Sequence, residues 1–208
     1  MIDNNFDYPQ HRPTGSEVDA KSWLSSSLSE NDARPFILFV ERFSELTFYR
    51  EDMALLGHIQ AQEGVELPKW LLDIRNAFAF VESSIPEYEI KVRFDEDATD
   101  AEWLDDRWFT LGLRGYANED DKEILQRVSP LSLFPIGEVW ESDVMLAINL
   151  ADPNDKKVYG LTLEFLRDDE ADDLPLIDSV HVVFESYGNM FGDIVAIKLP
   201  GGRLLPKV

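Results

Sequence analysis

The sequence predicts an α+β fold in which several helices pack on one side of a mainly antiparallel sheet. Apolar residues recur at helical spacing as far as Val81, the period changes to two at Tyr88, and later apolar runs alternate with turn-forming stretches such as ADPNDKK. At 208 residues the chain suits one domain with an appendage, a size that buries roughly 70% of the surface exposed by the unfolded chain. A composition that is 44% hydrophobic and 12% aromatic belongs to a folded globule.

The first 34 residues mix Asn, Asp, Ser, Pro and Gly with isolated aromatics. They read as an N-terminal extension, with scope for partial disorder, and Ser25 to Pro35 reads as a linker. The domain proper is placed at 35–208. Phe36 to Leu46 is apolar enough for a buried helix. A second helix, from Arg50, carries Met53, Leu56 and Ile59 and stops at Gly64, a C-terminal capping glycine. Pro68 suits the first position of a third helix, where its missing N–H goes unneeded, and Leu71, Ile74, Phe78 and Val81 form one apolar stripe.

Tyr88, Ile90, Val92 and Phe94 alternate with charged residues as in a half-buried strand, and Trp108 to Leu113 reads as another. Between them lies DEDATDAEWLDD, Asp95 to Asp106. Asn118 to Val128 reads as a short helix whose acidic first turn complements the helix dipole. Leu133 to Ile136 enters a strand, Pro135 and Gly137 shape a corner, Gly137 to Asp143 turns, and Val144 to Leu150 is strand again. Tyr159, Leu161, Leu163 and Phe165 line one face of the next strand, and RDDEADD, Arg167 to Asp173, follows. From Asp178 to about residue 190 a helix capped by Asp178 is favoured, although the β-branched run His181 to Phe184 also fits a strand. Gly192 to Val208 reads as a last strand with a Gly-Gly turn.

Gly64, Val65, Leu67 and Pro68 are followed by Phe134, Pro135, Ile136 and Gly137, then by Asp143, Leu150, Val158 and Tyr159, and last by Asp178 with Ser179. This order of short motifs resembles the SUKH superfamily, which includes yeast Smi/Knr-type cell-wall regulators and many bacterial immunity proteins that neutralise polymorphic or contact-delivered toxins. The motifs span roughly Glu63 to Tyr187. Members often end the Leu-Pro helix with Asn-Gly, whereas this chain reads Phe78-Ala79-Phe80-Val81, so the helix is expected to run on. The resemblance implies a SUKH-like fold and a non-catalytic protein that binds a toxin domain.

Candidate chemistry is thin. The absence of cysteine excludes thiolate catalysis and disulfides and fits a reducing cytosol. His11, His58 and His181 form no metal-binding spacing. Asp178, Ser179 and His181 have the residue types of a hydrolytic triad but lack the glycine-flanked elbow that exposes such a serine. Asp95, Asp97 and Thr99 begin like a calcium loop, but Asp100 stands where that loop needs glycine. No phosphate-binding glycine motif occurs, so neither metal nor cofactor is expected.

The formal net charge of −22 argues against nucleic acid and anionic membrane as partners. With no signal peptide or membrane span in the sequence, a cytoplasmic location is expected. The candidate partner surface is acidic and aromatic: Asp95, Glu96, Asp97, Asp100, Glu102, Trp103, Trp140, Asp168, Asp169, Glu170, Asp172 and Asp173. Its carboxylates could imitate the phosphates expected by a basic nuclease toxin; solubility alone is the plain alternative for the charge, and core packing is the commoner fate of a tryptophan. A regulatory or scaffold module that binds a host protein is the alternative. Nothing in the sequence sets the oligomeric state.

Overall fold

The computed structural model describes residues 13–51, 53–78, 89–92, 108–111, 129–139, 144–162, 180–198 and 204–205. In order these form β1 (Thr14–Gly15), α1 (Glu17–Ser27), α2 (Glu30–Arg42), β2 (Phe48–Tyr49), α3 (Met53–Glu63) and α4 (Lys69–Ala77). Then come β3 (Glu89–Val92), β4 (Trp108–Leu111), β5 (Leu133–Val139), β6 (Val144–Asn149), β7 (Val158–Thr162), β8 (Val180–Phe184), α5 (Tyr187–Asp193), β9 (Ile194–Lys198) and β10 (Leu204–Leu205). The fold is α+β, as the change of period predicts.

Local chemistry starts the helices earlier than composition suggests. Ser16 and Asp19 form a reciprocal capping box at the head of α1: the Asp19 N–H donates to Ser16 Oγ at 3.5 Å, and the Ser16 N–H donates to Asp19 Oδ2 at 2.8 Å. Ser29 caps α2 through its side chain alone, accepting from the Asp32 N–H at 3.3 Å. The boundary expected between residues 34 and 35 therefore falls inside α2, and Pro35 is a residue of that helix. Ala20, Leu24 and Ala33, all before that boundary, are buried in the main core.

Two helix ends teach opposite lessons. Gly64 has φ +65, and the Val65 N–H donates to the Gln60 carbonyl at 3.1 Å, so α3 ends in the left-handed cap its glycine predicts. By contrast, α4 stops at Ala77 and does not run on to Val81, which lies outside the described residues. Phe78 is extended (φ −154, ψ 112), and its buried ring packs against Phe36, Phe39, Phe48 and Phe191 at centroid distances of 5.8, 5.9, 5.9 and 5.8 Å. Breaking the helix there lets one ring join four others. Truncating a ring so placed costs about 3–5 kcal/mol.

Eight strands form one antiparallel sheet in the order β10-β9-β3-β4-β5-β6-β7-β8, while β1 and β2 make a separate pair. The Pro-Ile-Gly segment is not a corner. β5 runs straight through it to Val139, with a bulge at Ile136, since Pro135 pairs with Ala147 and Gly137 with Leu146. One extra residue bends a strand without ending it. The segment 178–190, favoured as helix, divides into β8 followed by α5: β-branching prevails in Val180–Phe184, and Ser186 caps the helix by accepting from the Asn189 N–H at 3.0 Å. The helix expected at 118–128 and the Gly201-Gly202 turn lie outside the described residues.

One face of the sheet carries the main core. Phe134, Ile136, Val144, Leu146, Ile148, Val158 and Phe184 meet residues of α1 to α5 there, including Leu56, Leu71 and Phe191. The opposite face carries a smaller cluster of Leu133, Met145, Ala147 and Leu161. This explains why β6 is buried at both alternating sets of positions.

The sheet is not flat. β8 and β9 lie six strands apart in its order, about 29 Å if flat. The seven-residue α5 and two flanking residues join them, and a helix of that length rises only about 10 Å. Arg42 of α2 fastens this crossover, donating from Nη1 to the Gly192 carbonyl at 3.0 Å and also to the Ile194 carbonyl.

Candidate functional site

All twelve predicted partner residues lie outside the described residues: Asp95, Glu96, Asp97, Asp100, Glu102, Trp103, Trp140, Asp168, Asp169, Glu170, Asp172 and Asp173. The strands that carry them are described, and their order has a consequence. β3 to β8 are consecutive in sequence, adjacent in the sheet and antiparallel. The end of β3, the start of β4, the end of β5, the start of β6, the end of β7 and the start of β8 therefore lie at one end of the sheet. Residues 93–107, 140–143 and 163–179 all leave from, and return to, that end.

Charge divides along the same line. Segment 93–107 has seven carboxylates against two arginines, 140–143 has two and no basic residue, and 163–179 has seven against one arginine. At the opposite end, 112–132 has four carboxylates against three basic residues, and 150–157 has two against two. More than half of the net charge thus belongs to connections rooted at one end. Every residue named as a partner candidate is in those three connections.

At the near-neutral end, 150–157 is closed by its own polar groups. Asp155 Oδ2 accepts from Tyr159 Oη at 2.6 Å and from Asn149 Nδ2 at 3.2 Å, and Asp155 Oδ1 accepts from the Lys157 N–H at 3.0 Å. Burial opposes the Asp155 charge, but these donors outweigh it and hold its pKa below the ordinary carboxylate value. Burial first, and then the hydrogen bond to Asp155, push Tyr159 up to about 12. Lys156 ties the same turn to α2 through Asp32 Oδ1 at 2.6 Å, lowering the Asp32 pKa.

The buried charges are elsewhere and serve the helical layer. Arg75 Nη2 donates to Glu51 Oε1 at 2.6 Å, and each residue is only 4% exposed. Burial works against the Arg75 charge, yet Glu51 and Tyr187 outweigh it and leave the guanidinium pKa raised. Tyr187 is itself pushed up by burial, with Arg75 opposing, and its ring lies 5.8 Å from that of Trp70. Glu51 Oε2, Arg75 Nε and Trp70 Nε1 have no hydrogen-bond partner. Arg50 beside this pair covers the Trp23 ring at 5.4 Å and donates from Nε to the Asn76 carbonyl at 3.0 Å.

A carboxylate locked to a guanidinium away from water pins β2 and the start of α3 to α4. This pair is absent from the sequence-based candidates. Its signal was Arg75 itself, which falls on the Leu71–Ile74–Phe78 stripe and so had to be paired.

No group of three or more His, Cys, Asp or Glu side chains among the described residues could hold a metal ion. His181 is exposed on β8. None of the described helices is long and apolar enough to cross a membrane. No protein-family model, curated protein or solved structure matches the chain.

Proposed function

We propose that the protein is a non-catalytic immunity protein, a divergent relative of the SUKH superfamily, that binds and neutralises a toxin domain with a basic surface, a nuclease above all. The observation that carries this reading is the convergence of three acidic connections on one end of the sheet. Fourteen of the chain's carboxylates fall in 93–107 and 163–179 alone. A nuclease active site is built to receive phosphates, so an end crowded with carboxylates competes for the same cations. Opposite charge also speeds encounter by roughly 10- to 1,000-fold. Trp103 and Trp140, in two of the three connections, supply the large apolar contacts on which such interfaces concentrate their energy. The cytoplasm is where such a protein would meet its target.

The test is inhibition in a purified system. An immunity gene is expected beside its toxin gene, so the basic domain encoded next to this one is mixed with this chain in equimolar amounts. Its cleavage of nucleic acid should cease, and the association rate should fall steeply with salt. Full nuclease activity in the presence of this chain would defeat the proposal. The absence of any toxin gene nearby would turn the acidic end towards the regulatory-module alternative.

A further inference from the structure

Charge ties four of the described helices to their neighbours. Lys21 of α1 meets Glu41 of α2 at 2.7 Å, Asp32 of α2 meets Lys156 at 2.6 Å, Arg75 of α4 meets Glu51 at 2.6 Å, and Arg42 of α2 holds the Gly192 carbonyl of α5. α3 is built differently. It has no Asp, Glu, Lys or Arg from Met53 to Gln62, so no ion pair can fasten that stretch, and no acidic first turn or basic last turn complements its dipole.

Its packing is as sparse. Of the α3 residues whose exposure is described, Leu56 alone is buried, while Met53, Gly57 and Ala61 are exposed. α2 buries Ala33, Phe36, Phe39 and Val40, and α4 buries Leu71, Ile74, Arg75 and Ala77. Gly57 weakens α3 further, because a glycine inside a helix gives up more backbone entropy than alanine does. Nothing in the described fold requires it: the backbone of its own helix aside, a Cβ added there would meet no atom of the described residues within 4 Å.

Both ends of the segment are fixed. Before it, Glu51 is only 4% exposed and its N–H donates to the Arg75 carbonyl at 3.0 Å. After it, the chain turns at Gly64, and Leu67, 2% exposed, donates from its N–H to Gln60 Oε1 at 2.8 Å.

We infer that α3 is a strap that opens and closes as one unit, with Glu51 and Leu67 as its fixed points, drawing Leu56 out of the core while the sheet and the other helices stay folded. Segments with few buried apolar contacts open at a lower free energy than the whole chain unfolds. The inference is independent of the proposed function.

The experiment follows amide hydrogen exchange in the full chain by NMR, from no urea to just below the unfolding transition. The hydrogen-bonded amides of α3 should exchange at least tenfold faster than those of α2 and α4. Their dependence on urea should be shallower, since an opened strap exposes less surface than an unfolded chain. Two variants complete the test. Gly57→Ala should slow the α3 amides roughly fivefold, the fold-change set by the difference in helix propensity between the two residues. Ile148→Val, a conservative truncation of a fully buried residue of β6, should speed the α2 amides about fivefold and leave α3 unchanged, because β6 remains folded when the strap opens. Exchange of α3 at the rate and urea slope of α2 would overturn the inference. So would α3 amides that speed up with Ile148→Val as much as those of α2, or that are not slowed by Gly57→Ala.

Discussion

The two ends of the sheet are built by the same strands and made for different ends of the chain's chemistry. At one, 150–157 closes on itself, with Asp155 accepting from Tyr159, Asn149 and the Lys157 N–H and with carboxylates balanced by lysines. At the other, three connections bring sixteen carboxylates against three arginines. Unbalanced charge of one sign raises the self-repulsion of a folded chain. The near-neutral end and the helical layer hold the fold through the contacts above; the acidic end is the one the proposed function uses.

That division is broken most severely at Arg75. Arg75→Leu leaves the Glu51 carboxylate buried without its cation, and stability should fall by about 3–5 kcal/mol in urea unfolding. Glu51→Leu with Arg75→Leu should recover most of the loss, because two apolar side chains need no partner. A single variant within about 0.5 kcal/mol of the parent, where neutral surface changes lie, would mean that the pair does not hold α4 in place.

The next contrast sets one end against the other. Asp168, Asp169, Asp172 and Asp173 changed together to asparagine should slow association with the proposed basic partner about tenfold at low salt. Melting temperature should hardly change. Glu119→Gln, Asp120→Asn, Asp121→Asn and Glu123→Gln remove the same number of charges from a connection at the opposite end and should slow it much less. Equal slowing by the two sets would show that net charge alone steers the encounter and that the ends are equivalent.

Much of this arrangement was legible before any coordinates. Alternation from Tyr88 and along Tyr159 and Leu161 predicts strands, and the glycine at 64 predicts its left-handed cap, because both depend on neighbours in sequence. Ser16, Ser29 and Ser186 show where local reading fails. Serine, asparagine and aspartate are at once the residues of linkers and of helix caps, so a stretch rich in them looks unstructured until the helix behind it is known. Pro35 misleads for a related reason: proline usually ends a helix, but a helix already capped at Ser29 carries it through. In β8, valine's preference for strands opposed the helical spacing of Val180, Phe184 and Tyr187, and only pairing with β7 decides between them. The acidic end was the least legible feature. Charge and two tryptophans mark its residues in the sequence, and what unites them is strand order, which no segment encodes by itself.

The smallest expected effect lies at the quiet end and gives the comparison its sharpest control. Tyr159 ionises near 10 when unfolded and is pushed up to about 12 in the fold by burial and by Asp155. A raised folded value means that the linked stability is complete below about pH 10 and is lost as pH climbs through 12. In a spectrophotometric titration, Tyr159 should therefore be among the last tyrosines to ionise. Tyr159→Phe should delete that step and cost about 1 kcal/mol at neutral pH by removing one hydrogen bond. Asp155, which keeps its bonds from Asn149 and the Lys157 N–H, should lose part of its lowered pKa. The association rate with the proposed basic partner should stay as it was, since Tyr159 Oη serves the turn and contributes no net charge. A slower association in this variant would place part of the interface at the wrong end of the sheet.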